Sequence, residues 1–125
     1  MTWMSLPKEY QKGYFVILPI EYEKDTTYGD GASKGPQEII NASQHLEYYD
    51  EQFDCEPFTK GIELLQSLKL SRFPPKEMIT KTASLVSQQK QKFIIGLGGD
   101  HAISLGIAHG LEKLHKSFSI IQFDA

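Results

Sequence analysis

The stretch FIIGLGGDHAISLG, Phe93 to Gly106, decides the fold. Phe93 to Leu97 are apolar without alternation, the pattern of a strand buried on both faces in a parallel sheet. Gly98, Gly99, Asp100 and His101 then make a turn. From about Ala102, Ile103, Ile107, Leu111 and Leu114 recur at the spacing of one helix face. Lys113, His115 and Lys116 at the far end complement the negative end of the helix dipole. FSIIQF, Phe118 to Phe123, predicts the next buried strand. This half therefore predicts a β-α-β unit with parallel strands and a right-handed crossover.

Working outward, Pro75 opens a helix whose apolar set includes Ile79, Ala83 and Val86, and SQQKQK ends it. YFVILP, from Tyr14, predicts another strand buried on both faces. DTTYGDGASKGP reads as a loop ending in Gly35-Pro36, and proline suits the first turn of a helix. Ile39, Ala42, Leu46 and Tyr49 predict the apolar face of that helix. YDEQFDCEPFTKG is aperiodic and reads as a connection. IELLQSLKL fits either a helix or a strand, and Ser71 to Pro75 break its pattern.

Composition narrows the function. The chain has 125 residues, enough for one core, and 40% are hydrophobic. The net charge of −3 comes with no basic block, which argues against nucleic acid as a partner. The longest apolar run, Tyr14 to Ile20, is too short to span a bilayer, and acidic EYEKD follows it, so no membrane partner is expected. One cysteine, Cys55, cannot form an intrachain disulfide. The expectation is a cytoplasmic protein.

In an open α/β sheet, ligands bind beyond the carboxyl ends of the strands. His101 follows one predicted strand there, and Asp124 follows the other. The two strands are either neighbours, about 5 Å apart, or separated by one strand, and both side chains could then enter one crevice. Two ligand classes compete. A glycine turn before a helix cradles phosphate, but G-x-G-x-x-G fails at His101, and no Lys-Ser or Lys-Thr follows the glycines. Imidazole plus carboxylate is instead a ligand mix for Mn, Fe or Zn. The plain alternative is that His101 caps or packs locally and Asp124 lies in a surface turn.

GGDHAIS resembles the GGDHS signature of the ureohydrolases, the arginase and agmatinase family. IIQFDA resembles the start of that family's D-A-H-x-D signature. TTYGDGASKGPQEIINASQHLEYYD resembles its G-x-x-x-G-P segment, with wording closer to agmatinases than to arginases. The resemblance implies a three-layer α/β/α sandwich around a parallel sheet, of which residues 1–125 form the N-terminal portion of a single domain. It implies two manganese ions at the strand ends, with His101 and Asp124 as metal ligands. Asp100 would support the site by accepting backbone or imidazole hydrogen bonds, though a turn-forming aspartate explains it equally well. No catalytic residue is assigned. The implied reaction is hydrolysis of a guanidino C–N bond, taking agmatine to putrescine and urea in polyamine biosynthesis. The implied partners are a small guanidino substrate and copies of the same chain, as a trimer or hexamer.

The sequence departs from the family pattern at two places. Ala102 stands where GGDHS has serine, a position that is not a metal ligand. The chain also stops at Ala125, before the rest of D-A-H-x-D, so the 125 residues alone are expected to be inactive. A truncated non-catalytic homologue and an unrelated α/β nucleotide-binding module are the other readings, and an in-frame His-x-Asp downstream would separate the enzyme from the first of these. His109 and His115 read as helix residues and His45 as a polar-face residue. Cys55 has no positive neighbour to activate it. Tyr48 and Tyr49 read as packing or subunit contacts.

Overall fold

The computed structural model describes residues 2–24 and 29–123. Its centre is β1, Phe15–Glu21, in which five consecutive residues are buried. β2, Ile62–Leu64, and β3, Leu68–Lys69, pair with successive parts of one edge of β1. β4, Phe93–Gly98, pairs along the other edge, and every pairing is parallel. The ambiguous IELLQSLKL is thus two short strand pieces, each too brief for periodicity to separate strand from helix.

Three helices flank the sheet: α1, Gly35–Ala42; α2, Pro75–Val86; and α3, Ile103–Glu112. Side chains alternate across a strand. Leu18 and Ile20 on one face of β1, with Tyr22 just beyond it, join Leu70, Met78, Val86 and Ile103 in one buried cluster. Each such apolar side chain contributes about 1.5–3 kcal/mol when fully buried. Ile17 and Pro19 face the other way and are also buried. α1 contacts β1 and β4 and gives no residue to the cluster, so it lies on the opposite face. The result is helices on both sides of a parallel sheet, as expected.

α2 and α3 meet closely. A Cβ on Gly106 would stand 2.6 Å from Thr82 Cβ, and one on Gly110 would stand 2.4 Å from Val86 Cβ. The bare backbone of α3 is therefore what lets the two helices approach.

Three expectations are corrected. The first is the face of α1: Ile39, Ala42, Leu46 and Tyr49 are exposed, and Pro36, Ile40 and Ser43 are buried instead. The helix has only eight residues before the chain tightens into a 3-10 turn over Ser43–His45, which ends the 3.6-residue period. The Ser43 hydroxyl donates to the Ile40 carbonyl at 2.7 Å and accepts the Met4 N–H at 3.0 Å. The N-terminal residues thus cover this end of α1.

The second is FSIIQF, which is not a strand. Phe118, Ile120, Ile121 and Phe123 are exposed, and the segment lies beside α3. A strand apolar on both faces needs cover on both and a paired edge. Among the described residues nothing supplies the far cover, and pairing to one edge alone does not offset the cost of ordering the chain. The parallel pair predicted across α3 is absent for the same reason. The third is β4, which is a strand but not buried on both faces: Phe93 is 52% and Ile95 38% exposed. Its second edge has no partner among the described residues.

Candidate metal-ligand turn

The turn after β4 is built on backbone contacts. The Asp100 N–H donates to the Tyr22 carbonyl at 3.0 Å, joining the turn to the end of β1. A Cβ on Gly99 would stand 1.8 Å from that same carbonyl oxygen. Gly99 does not have a positive φ. Glycine is needed here for close approach and not for a left-handed turn.

Asp100 is half-buried and accepts two backbone N–H groups, from Ala102 at 3.0 Å and from Lys24 at 3.2 Å. The first fixes the entry to α3, and the second ties in the chain beyond β1. The carboxylate makes no hydrogen bond to the His101 ring.

His101 is exposed at the amino end of α3, and its imidazole makes no hydrogen bond or ion pair among the described residues. It borders a cleft of about 590 Å³ shared with Ser104, Leu105 and residues 120–123. An unengaged imidazole at a strand's carboxyl end fits one ligand position of a divalent metal. The described residues contain no group of three or more His, Cys, Asp or Glu side chains able to hold an ion. Asp124, the expected carboxylate ligand, lies outside the described residues. His109 stands 3.5 Å from Glu112 on the exposed face of α3, away from the turn.

One residue escaped the sequence reading. Glu23, just past β1, accepts the Gly31 N–H at 2.7 Å, the Ser33 N–H at 3.0 Å and the Ser33 hydroxyl at 2.8 Å. The Ser33 N–H above all, then the Gly31 N–H and the Ser33 hydroxyl, stabilise the charged form and pull the pKa down to about 2. The available signal was an acidic side chain at a strand end shortly before the Gly-Ala-Ser that leads into a helix.

A parallel sheet with helices on both faces, and a histidine-bearing turn at a strand's carboxyl end, defines an α/β protein whose ligand chemistry belongs at that rim. The chain belongs to the arginase family, whose model matches residues 14–125. It is 31% identical over 124 residues to the N(1)-aminopropylagmatine ureohydrolase of Synechocystis sp., covering 93% of this chain and 40% of that protein. It is 27% identical over 118 residues to an agmatinase of Halalkalibacterium halodurans, covering 93% and 41%. Its fold matches the crystal structure of the agmatine ureohydrolase of Thermoplasma volcanium with a TM-score of 0.70 at 19% identity, over 88% of this chain and 38% of that one. The chain spans about 40% of the length of the curated relatives it matches. The family match removes the nucleotide-binding reading. No helix among the described residues is long and apolar enough to cross a membrane.

Proposed function

We propose that the protein carrying this chain is a manganese-dependent ureohydrolase. It adds water to a guanidino carbon and breaks one C–N bond, giving urea and an amine. Agmatine, giving putrescine and urea in polyamine biosynthesis, is the substrate we favour. Aminopropylagmatine is the second, because several relatives bear that name. The observation that carries the reading is His101: an exposed, unengaged imidazole in a GGDH turn, at the strand end of a chain matched to the family over 112 residues, 14 through 125.

In this reading His101 and Asp124 face one crevice and hold metal. Manganese, when bound, makes a nucleophile available from water near neutral pH. The chain's own part is to aim the imidazole. Asp100 fixes the entry to α3, and Gly99 lets the turn sit on the Tyr22 carbonyl. A cytoplasmic homo-oligomer acting on a small guanidino molecule belongs to the same proposal. Residues 1–125 alone are proposed to be inactive, since His101 and Asp124 cannot by themselves clamp two ions.

The test is urea release from agmatine, aminopropylagmatine and arginine by the complete protein, with manganese added or removed by chelation. Manganese-dependent release from agmatine supports the reading. Release from arginine in preference would move the substrate, and no release from any guanidine would refute the function.

A further inference from the structure

Glu23 reaches the GGDH turn by two short routes, although it touches neither His101 nor Asp100. Its carboxylate holds Gly31 and Ser33 through the three hydrogen bonds described above. Two residues after Ser33, Gly35 opens α1 against the end of β4, where a Cβ on Gly35 would stand 3.5 Å from the Gly98 carbonyl oxygen. That is the first route. The second begins at the adjacent residue, Lys24, whose N–H donates to Asp100 Oδ2 at 3.2 Å. Lys24 is thus held by the carboxylate of Asp100, and Gly31 by that of Glu23.

Charge pairing does not account for Glu23, because it forms no ion pair among the described residues. Among the described residues its partners are donors on Gly31, Ala32 and Ser33. A carboxylate gathering several donors from one short segment acts as an anchor for that segment.

We propose that Glu23 is a positioning residue of this site. It anchors Gly31–Ser33, and through them the start of α1 against Gly98, so that the turn bearing Asp100 and His101 keeps its place. The effect on turnover rests on the ureohydrolase reading, whereas the effect on the turn does not.

Hydrogen exchange and metal titration on the complete protein test this, using Glu23→Ala and Glu23→Gln. Loss of the anchor is expected to speed amide exchange about tenfold or more at residues 31–36 and at residues 100–103, with residues 78–86 of α2 unchanged. The manganese concentration for half-maximal urea release is expected to rise about tenfold, with saturating manganese restoring most of the rate. Faster exchange at residues 31–36 with no change at residues 100–103 would overturn the proposal. If Glu23→Ala also loosens α2, the same comparison is read on Glu23→Gln, which keeps the length of the side chain and one carbonyl acceptor. Should the unaltered protein release no urea, the ureohydrolase reading fails by itself, and the exchange result still decides the role of Glu23.

Discussion

The Asp100 N–H donates to the carbonyl of Tyr22, one residue beyond β1, at 3.0 Å. This bond joins the histidine-bearing turn to the most deeply buried strand of the chain. Gly99 must remain bare to permit it.

Gly99→Ala is therefore expected to be far more damaging than an exchange of one small residue for another. A methyl group placed 1.8 Å from the Tyr22 oxygen forces the turn off β1. The expected loss is about 3 kcal/mol, at the upper end of what overpacking a fitted site costs. Urea unfolding of the variant measures it. A midpoint unchanged from the parent would show that the turn is not held as described.

His101→Ala separates chemistry from stability. The side chain is exposed and makes no hydrogen bond or ion pair among the described residues, so its removal should change stability by less than about 0.5 kcal/mol. Replacing a residue that merely supports a metal ligand costs about 10–100-fold, so loss of a ligand should lower turnover of the complete protein by about 100-fold or more. On the manganese ureohydrolase reading proposed above, one ion should be loosened more than the other. Metal content and turnover of the purified variant decide this, and unchanged values would remove His101 from the site.

At the α2–α3 contact, Gly110→Ala should cost about 1–3 kcal/mol, because the new methyl meets Val86 Cβ at 2.4 Å. Trimming the partner should recover part of the loss. Val86→Ala in the same chain keeps Cβ but removes Cγ1, which would stand 2.5 Å from the added methyl, and is expected to show a favourable coupling of about 1 kcal/mol. Additive losses in the double-mutant cycle would place the strain at atoms the trimming leaves in place, Val86 Cβ itself or the Ala83 carbonyl, 3.0 Å from the same added Cβ.

Glu23 gives a pH prediction with a definite sign. Its pKa falls from an ordinary 4.5 to about 2 on folding. The unfolded chain therefore binds the proton first, and the stabilisation is complete above pH 4.5. It is lost as pH falls from 4.5 towards 2. Acid unfolding of Glu23→Gln should lack this component. The gap between parent and variant should thus narrow across that window and stay constant from pH 6 to 8. A gap that widens on acidification would reverse the assignment.

The helices and strands most legible in the sequence are those whose burial is complete within the chain itself. β1 shows in its unbroken apolar run, and α2 and α3 show in their periods, because Leu18, Ile20, Met78, Val86 and Ile103 meet each other. The face of α1 was misread because helical spacing carried from Ile39 through to Tyr49 assumes a helix longer than Gly35–Ala42. Phe118 to Phe123 read as a buried strand because composition reports what a segment needs, not whether cover is present. Within the site, GGDH was legible as a motif. Glu23 was not, since its partners are backbone N–H groups, which every sequence contains and no pattern marks.

The side of β4 that has no partner among the described residues has a consequence for the chain's life before folding is finished. Parallel backbone groups from Phe93 to Gly98, flanked by the exposed Phe93 and Ile95 rings and methyls, form a template that another copy can extend. Any species presenting this row openly is in a race between ordered closure and mutual sticking, and only the second depends on concentration. Yield in a cell should then respond to synthesis rate and to chaperones that occupy strand edges, even when the equilibrium stability of the finished protein is unchanged.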